Sequence, residues 1–176
     1  STPLSPVIST NTVSVNPSQN GQFGLSIPNS GILNGNPMIA GISVQAPSVL
    51  AITACGSWNL NGDPSWNVDA NGAIANLPEW LYPLQQGSGT SNVSTAVGAL
   101  IGAFVPESIV SADGFSPVDA SKGISSIGIN ANELFYIGSQ AVVQVPGPGT
   151  LYLGINEPAG GALDGSGTIS VTIDSY

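Results

Sequence analysis

The chain has 176 residues, a net charge of −9, a single basic side chain (Lys122) and no histidine. Nucleic-acid binding and docking on an anionic lipid surface are excluded, because both need several Lys or Arg to displace counterions at phosphate. Ser-His and Cys-His nucleophile systems are excluded for want of the base.

Only 6% of residues are charged while 41% are apolar, so solubility rests on Ser, Thr, Asn and Gln around one core. Twenty-three Gly and fourteen Pro, spread along the chain, predict many turns between short strands. The β-branched and aromatic residues offset the ordering entropy and argue against disorder. No apolar stretch reaches the length of a membrane span, so no membrane insertion is expected. The sequence starts at Ser1 without Met. The expectation is a secreted protein, extracellular or at the cell surface, with its signal peptide removed.

Residues 1–35 read as a β-capable arm interrupted by Pro, in which Val7, Val13 and Val15 share parity with polar residues between them. These valines make the arm either a donor strand for a neighbouring copy or an added strand on its own sandwich. Gln22–Ile27 is a second short strand candidate. Residues 36–176 form the expected main domain. Met38–Val44 and Val49–Ala54 predict two strands joined around Ala46 and Pro47. Cys55 closes that second apolar run and has no partner for an intrachain disulfide. A buried, inert thiol is expected there, with an intermolecular disulfide as the alternative. A long polar loop is predicted from Gly56 to about Ser94. Val97–Phe104 is apolar at both parities, as a central strand is. Residues 105–132 read as loop with one helical turn near Asp119–Lys122. The last strands are predicted at 133–138, at 140–145 paired onward to 150–155, and at 167–173. The fold class that follows is all-β, an antiparallel sandwich of jelly-roll or galactose-binding-like type.

Two loops carry oxygen-rich chemistry. Asn67-Val-Asp69-Ala-Asn71-Gly72 matches the first half of a D-x-[DN]-x-[DN]-G calcium loop. The closing Glu falls on Pro78, with Glu79 one residue late, so an Asn/Asp-Gly turn is the plainer explanation. A second Ca²⁺ site at Asn67, Asp69 and Asn71 requires Asp63 or Glu79 to fold back. In the loop between the last two strands, Glu157 and Asp164 with nearby carbonyls offer much of the oxygen shell that Ca²⁺ takes. The alternative there is a metal-free turn capped by Asp164. Trp58 directly follows a strand and reads as core. Trp66 and Trp80, with Tyr82, serve either as sugar platforms or as anchors of the long loop. No G-x-S-x-G elbow, P-loop or G-x-G-x-x-G fingerprint is present, and no carboxylate sits in a catalytic motif, so no enzyme is expected. Asn92-Val-Ser94 is a glycosylation sequon.

Several segments together resemble a known family. Ile52-Thr-Ala-Cys-Gly-Ser-Trp58, Gly98-Ala-Leu-Ile-Gly102, Leu134-Phe-Tyr-Ile-Gly138, Leu151-Tyr-Leu-Gly-Ile-Asn156 and Ser166-Gly-Thr-Ile-Ser-Val171 are similar, in order, to strands of the PA-IL-type (LecA-like) bacterial galactose-binding lectins. The resemblance spans roughly residues 38–176. It implies a Ca²⁺ ion between the loop after the Trp strand and the loop joining the last two strands. The matching positions are the Asn61 backbone, Glu157, the Gly161 backbone, Asp164 and Gly165. It further implies a sugar near Trp66, Asn61, Glu157 and Asp164. The sequence departs from the family where Glu157 replaces an Asp and where Asp164 and Gly165 replace Asn, and the family's sugar-contacting His has no counterpart. The resulting expectation is a secreted, non-catalytic, lectin-like sandwich that self-associates as a filament or surface subunit by arm exchange, with Ca²⁺ as stabiliser. The alternative is a free, soluble, Ca²⁺-dependent lectin that binds a glycan.

Overall fold

A computed structural model describes residues 6–16, 38–59, 63–72, 81–86, 89–106, 134–156 and 166–176. Eleven strands are described: β1 (Ser9–Val15), β2 (Ile39–Val44), β3 (Ser48–Asn59), β4 (Asn67–Val68), β5 (Leu81–Gln86), β6 (Gly89–Ala96), β7 (Leu100–Pro106), β8 (Leu134–Tyr136), β9 (Gln140–Val145), β10 (Gly149–Ile155) and β11 (Ser166–Ser175). A 3-10 turn, Pro64–Trp66, precedes β4. Every pairing among the described strands is antiparallel. Among the described residues no helix is long and apolar enough to cross a membrane. The expected helical turn near Asp119–Lys122 and the strand candidate Gln22–Ile27 lie outside the described residues.

The first sheet runs β1-β11-β3, with β4 and β9 sharing the far side of β3. The second runs β2-β10-β7-β8, and β5-β6 form a separate hairpin. From β8 onward each strand changes sheet: β8 lies in the second, β9 in the first, β10 in the second, β11 in the first. The expected pairing of 140–145 with 150–155 is therefore corrected. The turn at Pro146-Gly-Pro-Gly149 does not fold one strand back on the other but carries the chain across the sandwich. β9 pairs with β3, and β10 lies between β2 and β7.

Alternation decides what goes inside. Leu50, Ile52 and Trp58 of β3, Ile169, Val171 and Ile173 of β11, and Leu151, Leu153 and Ile155 of β10 are all buried. They meet as one core between the two sheets. On β7, Leu100 belongs to that core, while Ile101 and Ala103 have the opposite parity and are also 0% exposed. The second sheet is thus covered on both faces at β7, which explains the unbroken apolar run at 97–104. Cys55 takes the outward parity beside Ala54 and is exposed. The expectation of a buried thiol is corrected by that register.

The expected loop from Gly56 to Ser94 is corrected as well. β3 runs on to Asn59, because Trp58 takes its next inward position, and the β5-β6 hairpin occupies 81–96. Pairing across β3 and β11 matches large with small: Trp58 stands opposite Gly167. A Cβ on Gly167 (φ +89°) would lie 2.8 Å from the Ser57 carbonyl and 2.9 Å from Trp58 Cα, so only glycine fits. The Trp58 indole N–H donates to the Gly98 carbonyl at 2.9 Å inside the core.

β1 pairs with β11 of its own chain over seven positions, Ser9 to Val15. Of the three arm valines, Val15 is fully buried, Val13 is half-buried against the core and Val7 is 43% exposed. Asn11 Nδ2 donates to the Gly41 carbonyl of β2, tying β1 to the edge of the opposite sheet.

Candidate functional site

Register places the residues to which the two candidate ligand segments attach. Asn59, at the end of β3, is the ladder partner of Ser166, at the start of β11. Segment 60–62 follows Asn59, and segment 157–165 precedes Ser166. They therefore leave the described residues from neighbouring points at one pole of the sandwich. Asn61, Glu157, Gly161, Asp164 and Gly165 themselves lie outside the described residues, as do Glu79 and Trp80.

The described part of this pole is built from amides on a rigid floor. The floor is the turn Val97–Ala99. Gly98 N–H donates to the Asn156 carbonyl at 2.8 Å, Asn156 N–H donates to the Ala99 carbonyl at 2.9 Å, and the Gly98 carbonyl accepts from Trp58. The fully buried Asn156 side chain donates from Nδ2 to the Thr95 carbonyl at 3.0 Å and to the Ala96 carbonyl at 3.2 Å. Above this, Asn59 Nδ2 donates to the Asp63 carbonyl and to Asn67 Oδ1, both at 2.7 Å. Those two bonds close the 3-10 turn onto β4. Trp66 lies in that turn, half-buried and packed against the core. That packing ties the turn to the sandwich.

The Asn67–Gly72 segment forms a turn whose side-chain oxygens are engaged by protein donors. Asp69 Oδ1 accepts the Asn71 N–H at 2.9 Å, and the Asp69 carbonyl accepts the Gly72 N–H at 3.0 Å. Asn71 Oδ1 accepts from Tyr136 Oη at 3.0 Å and from Ser139 N–H at 2.9 Å. One side-chain oxygen on each of Asn67, Asp69 and Asn71 thus holds a protein N–H or O–H, the Asp69 bond to the Asn71 N–H being an Asx turn. Among the described residues no three His, Cys, Asp or Glu side chains converge as a metal cage.

Sequence inspection did not single out Tyr136. It ends β8, is 45% exposed, and spans from the second sheet to the Asn71 turn. Burial, and after it the Asp69 carboxylate, push its phenol above the ordinary value of 10.0. Gly138 (φ +70°) makes the arrangement possible. A Cβ there would sit 2.4 Å from Tyr136 Oη and 2.7 Å from Asn71 Oδ1. The signal available in the sequence was the Tyr-Ile-Gly-Ser step, in which an aromatic precedes a glycine that must turn.

At the opposite pole, Pro47, Ser48, Val49, Gln144, Val145 and Tyr176 line an open cavity of about 260 Å³. Its lining brings together no group of acids or bases.

No family model matches the chain, and no curated protein matches it. Among solved structures it is similar to the N-terminal domain of EclA, a PllA-like lectin. The identity is 14%, with 94% of this chain and 96% of that chain covered and a TM-score of 0.48. The antiparallel sandwich is assigned from the strand pairing itself.

Proposed function

We propose that this protein is a secreted, non-catalytic, lectin-like module that takes a glycan, with Ca²⁺ assistance, at the pole where β3 and β11 meet. The observation that carries the proposal is the Asn59–Ser166 pairing. It attaches the segments holding Asn61 and Glu157–Gly165 to adjacent points above the rigid Trp58–Gly98–Asn156 floor. Glu157 and Asp164, with backbone carbonyls at Asn61 and Gly161, are oxygen donors of the hard kind that Ca²⁺ prefers. Once bound, the ion would supply a Lewis-acidic contact for vicinal hydroxyls. The Asn59 side-chain amide holds the Asp63 carbonyl and Asn67 Oδ1 at the same pole. A ligand that binds only the folded state raises the melting temperature by mass action. EGTA is accordingly expected to lower Tm, and Ca²⁺ to restore it. An unchanged Tm together with no calcium by elemental analysis would reject the ion, and an empty glycan array at high protein concentration would reject the sugar.

A second reading, arm exchange between copies, is favoured by how β1 is attached. Its contacts are the β11 ladder, the bond to Gly41 and the packing of Val13 and Val15 on the core, and the stretch 16–38 joins it to β2. A neighbour's β1 would make the same contacts, so the exchange conserves them and supports a filament or surface subunit. Thr12 and Thr172 are ladder partners with hydroxyls 3.3 Å apart. In a Cys55→Ser background, oxidised Thr12→Cys/Thr172→Cys is expected to give dimers and higher species on a non-reducing gel. Monomers alone would remove this reading.

A further inference from the structure

We infer that Tyr136, Asp69 and Asn71 form a carbohydrate subsite on the flank of the sandwich, with the Tyr136 ring against the C–H face of one pyranose and Asp69 accepting from its hydroxyls. This inference rests on the glycan-binding proposal above but centres the contact on Tyr136, Asp69 and Asn71 rather than on the proposed calcium ligands.

The argument starts from rigidity. Tyr136 is fixed at three points. Its backbone is paired with Ile101 in the second sheet, its hydroxyl donates to Asn71 Oδ1 at 3.0 Å, and the missing side chain of Gly138 leaves the room its Oη fills. Asn71 is itself held, by the Ser139 N–H on its Oδ1 and by Asp69 Oδ1 on its own N–H. The ring therefore has little rotamer freedom left to lose when a ligand arrives, which favours affinity. Nearly half of the residue nonetheless remains open to solvent.

Chemistry then selects the ligand class. An aromatic surface takes up apolar C–H groups, and an exposed carboxylate beside it accepts O–H donors. Pyranoses combine an apolar face with a rim of hydroxyls. Phosphorylated and carboxylated ligands are repelled by Asp69 and by the net charge of −9. Trp66, for which the sequence offered a platform or an anchor role, packs on the core, which leaves Tyr136 the better-presented ring of the two.

The test is an amide-resolved NMR titration of the full chain with the methyl glycosides of galactose, glucose, mannose and fucose, and separately with tetramethylammonium. Glycoside-induced shifts are expected at Asn71, Tyr136, Gly138 and Ser139. Tyr136→Ala should weaken binding about tenfold, and Tyr136→Phe by less than about threefold. Asp69→Asn should weaken it while leaving the free protein folded, with amide shifts of its own confined to the Asp69–Gly72 turn and its neighbours. Shifts confined to Asn59, Asn67 and Ser166 would overturn the flank subsite and leave the polar-end proposal standing. No glycoside shifts anywhere would overturn both. Shifts at Tyr136 with tetramethylammonium alone would replace the sugar by a cation on the ring.

Discussion

Replacing Trp58 with Phe should cost more than its size suggests, because Trp58 performs two tasks. Its side chain is 1% exposed, and its indole N–H is bonded to the Gly98 carbonyl at 2.9 Å. Phenylalanine keeps the aromatic body but loses about 40 Å³, which at about 24 cal/mol per Å³ costs about 1 kcal/mol. It also leaves the Gly98 carbonyl without its donor in a dry site, for about 1–3 kcal/mol more. The sum is about 2–4 kcal/mol. For a domain of this size that corresponds to a fall in Tm of about 5–15 °C. Urea denaturation followed by circular dichroism gives the free energy, with Trp66→Phe as the half-buried control expected to cost under about 1.5 kcal/mol. A Trp58→Phe loss below about 1 kcal/mol, or one no larger than the control, would refute the account of Gly98 as an anchored floor.

Gly138→Ala should destabilise by about 1–3 kcal/mol and free the Tyr136 ring, seen as averaged Tyr136 side-chain shifts; a neutral variant would contradict the fit described above. Val15→Ala, at a fully buried position of β1, should cost about 2 kcal/mol in urea denaturation, whereas Val7→Ala should be nearly silent. Tyr136 and Tyr152 are both raised by burial, Tyr136 also by Asp69. Their folded forms hold the phenolic proton more tightly than the unfolded chain does, so their stabilisation is complete below pH about 10 and is lost as pH rises through the folded values. Absorbance titration at alkaline pH should show Asp69→Asn bringing Tyr136 back toward its ordinary value, and an unmoved curve would deny the proximity of that carboxylate.

What the sequence made legible was whatever packing writes as alternation. The β1 valines, the β3 run, Trp58 as core and the two-sided burial at Ile101 could be read because each is an apolar position with a fixed period. β6 (Gly89–Ala96) was not legible, since its Ser, Thr and Asn residues carry no apolar stripe. The β9–β10 crossing was missed because Pro-Gly-Pro-Gly marks a turn without saying which sheet receives the next strand. Within the site, the Asp69–Gly72 turn was visible in its residues. Tyr136 was not, because its partner Asn71 is 65 positions away. The Glu157–Gly165 segment lies outside the described residues and its geometry did not enter.

One consequence follows from the seam between β1 and β11. The polypeptide enters β1 at Ser9 beside Ser175, where it quits β11, and the Asn59–Ser166 tips point the other way. Anything spliced ahead of the first strand or behind the last would hang from the base like a stalk, holding the amide-lined crown outward. Cutting and rejoining the chain at that base should accordingly yield a permuted molecule with its crown intact.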